Sequence, residues 1–166
     1  MTPVEIAVVV VSAWLAGWVA LPVTIWRDDL GGPNARNWPG LILMRRGLPN
    51  PGAVWAQEFY EARRGWRWLP VALPLLVLGK LLPSLDWWRR SQEIMGHEIE
   101  VWAESALTGT EPHVIRKREA EALSRYREFG GWSEPDIDLA MRKVSHKAQD
   151  FVTRHMNDIQ AKELGE

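Results

Sequence analysis

No cysteine occurs anywhere in the 166-residue chain, and this one absence removes disulfides, thiolate zinc sites and cysteine nucleophiles together. Any metal centre must therefore be built from His, Asp or Glu. Also missing are the lysine-bearing glycine loop that cradles phosphate, the dinucleotide fingerprint, and the kinase and Ser-His-Asp signatures. Phe129, Gly130, Gly131 and Trp132 accordingly read as a helix-breaking turn pinned by aromatics. There is no internal repeat and no low-complexity tract, which sets solenoids and disordered arrays aside. The formal charge is only -1. Residues 1–85 carry a balance of +3 and residues 86–166 one of -4, so neither half has the basic excess of a nucleic-acid binder.

What is present begins with tryptophan, eleven residues against two tyrosines and three phenylalanines. Trp14, Trp18 and Trp26 lie in or at the end of a run, residues 6–26, that contains no charged side chain. A helix of that length, at about 1.5 Å per residue, spans roughly 30 Å, the thickness of a bilayer's hydrocarbon. Ahead of the run, residues 1–5 carry Glu5 and no Lys or Arg, unlike a cleaved signal peptide. The run therefore reads as an N-terminal transmembrane helix, with the lipid bilayer as partner. Arg27, Arg36, Arg45 and Arg46 follow it closely and place the bulk of the chain in the cytoplasm. A second apolar stretch, residues 69–85, is flanked by Trp66 and Trp68 before and Trp87 and Trp88 after. Pro70, Pro74, Pro83 and Lys80 interrupt it, so rather than crossing it reads as a segment that dips into the membrane surface and returns, or else as a buried hairpin of a soluble domain.

Turn clusters at residues 31–34 and 49–52 enclose a stretch from Trp38 to Met44 that suits a short strand or extended segment. Helix signals follow: a start near Pro51 or Gly52 running through Arg64 with Gly65 as stop, Ser84 or Asp86 as cap of a long helix reaching Leu107 and ended by Thr108 and Gly109, Glu111 and Pro112 opening another to about Phe129, and Ser133, Glu134 and Pro135 opening the last to about Glu163. The fold class expected is all-α: an anchor over residues 1–30, a helical core over 31–107, and a charged helical C-terminal region over 108–166. The charged C-terminal helices offer a face for a protein partner. Within them Arg116, Lys117, Arg118, Glu119 and Glu121 read as a solvated mixed-charge face, and His113, His146 and His155 as isolated surface residues.

The candidate site lies on the two central helices. Glu58 and Glu61 are three residues apart and Gln57 and Glu61 four, so they share one side of the first helix. On the second, Glu93, His97, Glu100 and Glu104 fall at i, i+4, i+7 and i+11, a single stripe without a lysine. Two roles fit: ion pairs with Arg63, Arg64, Arg89 or Arg90 that fix packing, or a site for a metal.

The order of these features, from an apolar N-terminal segment and Trp38-Pro39 running to Arg45-Arg46-Gly47, through the Gln57-Glu58-x-x-Glu61 helix and an apolar stretch, to Glu98-Ile99-Glu100, resembles small zincin-type proteins of bacteria and bacteriophages. Such proteins are similar to gluzincin metallopeptidases, in which two histidines of H-E-x-x-H and a later glutamate hold zinc while the motif glutamate activates water. The resemblance, over residues 36–107, implies a zincin-like helix pair in which Gln57 and Glu61 stand at the histidine positions, Glu58 at the general-base position and Glu100 at the third ligand. Both ligand histidines are replaced; His97, beside the later motif, is an additional imidazole. The expected divalent metal (zinc, manganese or iron) is then held by Glu61, His97 and Glu100, with Glu58 as the catalytic candidate. A bacterial inner membrane or a virion is the implied location. Beside this reading stand a non-catalytic structural or interaction protein of a phage or bacterial envelope and, third, a holin or spanin of the lysis machinery.

Overall fold

The computed structural model describes residues 2–19, 22–30, 34–38, 40–64, 83–126 and 129–165. Among these residues five helices and three strands follow in the order α1 (Pro3–Val19), β1 (Val23–Arg27), β2 (Ala35–Trp38), β3 (Leu41–Arg45), α2 (Pro51–Arg64), α3 (Pro83–Thr108), α4 (Pro112–Ser124) and α5 (Glu134–Glu163). The all-α expectation is thus corrected: a three-stranded mixed sheet, in the order β1-β3-β2, is built into the fold.

The long apolar run does not form one helix. Pro22 lacks an amide hydrogen and disfavours helical geometry in the residue before it, and Val23, Thr24, Ile25 and Trp26 beyond it are β-branched or aromatic, suited to a pleated strand. The run is therefore divided between α1, 17 residues long, and β1. At about 1.5 Å per residue α1 reaches only about 25 Å. No helix among the described residues is long and apolar enough to cross a membrane, which overturns the transmembrane anchor and the membrane localisation drawn from it. Val4, Val8 and Val10 on α1 are nonetheless more than half exposed. The expected hairpin over residues 69–85 falls, up to residue 82, outside the described residues.

Strand β3 is the centre of the sheet. It pairs parallel with β1, Val23 opposite Leu41 through Arg27 opposite Arg45, and antiparallel with β2, Ala35 opposite Met44 and Trp38 opposite Leu41. The tight return from β2 to β3 uses Gly40 at φ 77, a conformation that favours a residue without Cβ. Alternation along β3 buries Ile42 and Met44 fully. They meet Trp55, Ala56 and Phe59 of α2, Ile99 and Ala103 of α3, and Ala148, Val152 and Ile159 of α5 in the larger core cluster. A smaller cluster joins Ile94 and Val101 of α3 to Ile115 and Leu123 of α4 and Ile137 and Met141 of α5. Trp55 Nε1 donates to Thr24 Oγ1 at 2.9 Å, tying α2 to β1.

The helix ends are where local chemistry puts them. Gly109, at φ 73, closes α3 with its N–H on the Ser105 carbonyl at 2.9 Å. Pro112 lies in the first turn of α4 behind Glu111, and Ser133 caps α5 in a reciprocal box with Asp136. α4 stops at Ser124, short of the expected Phe129.

Candidate metal centre

α2 and α3 come into close contact at Gly96. A Cβ added there would meet Glu61 Oε1 at 2.8 Å and the Cγ atoms of Gln57 and Glu61 at 3.4 Å, so the missing side chain lets the two acidic faces meet. On the α2 side the carboxylates are held by amides. Gln57 Nε2 donates to Glu61 Oε1 at 2.9 Å. Asn37, brought in by β2, donates through Nδ2 to Glu61 Oε2 at 3.3 Å and also to Glu58 Oε2. Glu61 is buried, and these hydrogen bonds offset the cost of taking it out of water.

On the α3 side the acidic stripe faces inward. Glu93 and Glu104 are buried, and the side chains of His97 and Glu100 are each 19% exposed. The neighbour that completes the site comes from α4. Glu119, 16% exposed, places Oε2 at 3.7 Å from His97 Nδ1, and Glu100 Oε2 stands 3.8 Å from the same nitrogen. One ligand atom from each of His97, Glu100 and Glu119 falls within 4.8 Å of the others. Two ligands about 2.1 Å from one tetrahedral ion stand roughly 3.4 Å apart, so the spacing is close to that of a shared cation.

The electrostatics of this group are strained. Burial, then the charges of Glu119, Glu104 and Glu58, push the Glu100 carboxyl up to about 8, against which Arg118 pulls down. Burial also raises Glu119, with Arg118 again opposing. Crowded, half-dry carboxylates of this kind take up a proton or a cation. The donor set, one imidazole and two carboxylates, fits manganese, iron or zinc.

Two of the other α3 acids are answered by arginines of α4. Glu98, fully buried, is gripped by Arg116 of α4 through Nε at 2.9 Å and Nη2 at 2.5 Å. Ser145 of α5 joins this pair to Trp102: Arg116 Nη2 and Trp102 Nε1 both donate to its Oγ, at 3.2 and 2.8 Å. Removing one member of such a buried pair costs about 3–5 kcal/mol, so Glu98 belongs to packing. Glu104 is bound by Arg118 at 2.6 and 3.1 Å.

The sequence-derived residues therefore divide. His97 and Glu100 converge; Glu58 borders them closely enough to raise Glu100; Glu61 stands apart, engaged with Gln57 and Asn37. Glu119 and Arg116, expected on a solvated face, are instead turned into the protein. The signal for them was present: Ile115, Arg116, Glu119, Ala120 and Leu123 share one helical face, and its three apolar members are all buried. His155, expected at the surface, packs its ring 4.6 Å from Phe151 and 5.0 Å from Phe59. Comparison with protein-family models, curated proteins and solved structures returns no match, and the chemistry of the cluster rests on its own residues.

Proposed function

We propose that the protein binds a divalent metal ion through His97, Glu100 and Glu119, on a scaffold related to the zincin helix pair that does not hydrolyse peptides by the zincin route. The observation that carries this reading is the convergence of one imidazole nitrogen and two carboxylates within 4.8 Å, where burial and mutual repulsion lift Glu100 to about 8. A cation relieves that repulsion, which Arg118, shared between Glu104 at 2.6 Å and Glu119 at 3.5 Å, offsets only in part. The positions that hold zinc in a gluzincin are a glutamine and a glutamate here, and their side chains bond each other and Asn37. Glu58 adds a carboxylate at the border of the cluster, where it orients water or a further ligand group.

A second reading, a structural or interaction protein with no metal, is favoured by one specific observation: Asn37 engages both Glu58 and Glu61, as in a site converted to packing. Titration calorimetry with manganese and zinc chloride at pH 8 separates the two. One ion per chain is expected, weakened at least tenfold in Glu119→Gln and His97→Ala and retained in Glu61→Gln. At a free metal concentration one hundred times Kd, binding adds about 2.7 kcal/mol to unfolding stability. No heat and no shift in Tm would sink the metal reading and leave the structural one.

A further inference from the structure

On the side of α3 away from the acidic stripe, the helices open into a cleft of about 500 Å³, within the 300–1,000 Å³ usual for small-molecule sites. Met95 lies two residues from His97, about 200° around the helix, so this cleft and the acidic cluster are separate. Tyr60, Met95, Phe151 and Val144 line it with apolar surface, and the Trp87 indole, 60% exposed, stands at its edge. Trp87 thus adds an exposed aromatic face to the rim of a cleft whose lining is part apolar and part polar.

The charges around the cleft are uneven. Lys147, Phe151 and Arg154 fall at i, i+4 and i+7 on α5, one stripe with the phenyl ring between two cations. Elsewhere on α5 Arg142 is paired with Asp138 at 2.8 Å. Lys147 and Arg154 have no ion pair among the described residues; Arg154 Nε donates only to the Asp150 backbone carbonyl at 3.1 Å. Among the described residues, the one carboxylate lining the cleft, Asp150, faces His146 at 3.6 Å. Gln92 accepts from the Tyr60 hydroxyl at 3.0 Å, which leaves its amide N–H groups as donors at the same wall.

We propose that this cleft binds a planar aromatic anion, its ring between Met95 and Phe151 and its acidic group at Lys147 or Arg154. The apolar walls take the ring, the unpaired cations supply the charge, and the two ends of the stripe, about 10 Å apart, set the length of ligand that reaches both. The inference does not depend on the metal.

The test is titration calorimetry of the full chain with 2-naphthoate as the probe and 2-naphthalenemethanol as its neutral counterpart. Saturable one-to-one binding of naphthoate is expected, weakened at least tenfold by the Lys147→Glu/Arg154→Glu pair. Binding of the alcohol is expected to be weaker in the native chain and unchanged by that pair. Both substituted side chains are exposed, and an unchanged circular dichroism spectrum and Tm verify the fold. Glu119→Gln should leave naphthoate binding as it is. Absence of saturable binding, equal binding by the charge-reversed pair, or loss of binding in Glu119→Gln each overturns the proposal.

Discussion

At Glu100 two opposing demands meet in one side chain. Burial and three neighbouring carboxylates favour its neutral form and carry it up to about 8 from an ordinary 4.5, while the Arg118 guanidinium pulls the other way and loses. The sign of the consequence follows from linkage. Between 4.5 and 8 the unfolded chain has released this proton and the folded chain still holds it. Stability associated with the group is thus complete below 4.5 and drains away as pH rises toward 8, by up to about 1.4 kcal/mol per pH unit, and then levels off. Glu119, raised in the same direction, adds to the slope; Asp136, lowered by its Ser133 partner, acts only below this window. Urea unfolding of the metal-free protein at pH 5.5, 7 and 8.5 should show the decline, and Glu100→Gln should flatten most of it. A wild-type profile that rises across the same interval would refute the assignment.

At the scale of elements, two glycines at close contacts separate a rigid obstacle from a yielding one. Gly52, in the first turn of α2, lies so near α5 that a Cβ would come within 2.5 Å of the Ile159 carbonyl oxygen, and its N–H is bound by Glu163 Oε2 at 2.8 Å. A backbone atom cannot swing aside, so Gly52→Ala should cost about 2 kcal/mol or more and lower Tm by several degrees. At Gly96 the nearest obstacle is the end of the Glu61 side chain. Alanine there gains about 1 kcal/mol of helix propensity and loses about as much from the displaced Gln57–Glu61 hydrogen bond. Gly96→Ala should change unfolding free energy by less than about 1 kcal/mol, measured by the same denaturation. A cost at Gly96 equal to that at Gly52 would show that Glu61 is fixed too firmly to move.

The helix ends at Pro51, at Thr108 with Gly109, at Pro112 and at the Ser133 box were legible in the sequence because their signals act within a few residues, whereas the end of α4 at Ser124, which no glycine or proline marks, was not. The sheet was half legible. The stretch from Trp38 to Met44 announced itself between two turn clusters, whereas β1 was hidden in an apolar run whose hydropathy does not separate a strand from a helix, and its parallel partner lies some twenty residues away. His97 and Glu100 were visible as a stripe on one helix. Glu119 was not, because nothing in a single helix says which partner its face will meet, and charge composition around it pointed to solvent.

For the molecule as a whole, the decisive element is α5. Its buried side chains enter both core clusters, Ile137 and Met141 in one, Val152 and Ile159 in the other. At about 1.5–3 kcal/mol for each large apolar side chain, these four contribute roughly 6–12 kcal/mol, as much as the net stability of an ordinary domain. α4 adds Arg116 beneath Glu98, which without that partner would be an uncompensated charge in the interior. The core around residues 31–107 and the charged region beyond it should therefore unfold as one unit. A chain ended after Gly109 is expected to show no cooperative urea transition and weak helical circular dichroism, while the full chain shows one transition in which tryptophan fluorescence and circular dichroism coincide. If the shortened chain instead unfolds cooperatively with its own midpoint, the sheet, α2 and α3 form a domain without α5, and the acidic cluster loses only Glu119 with it.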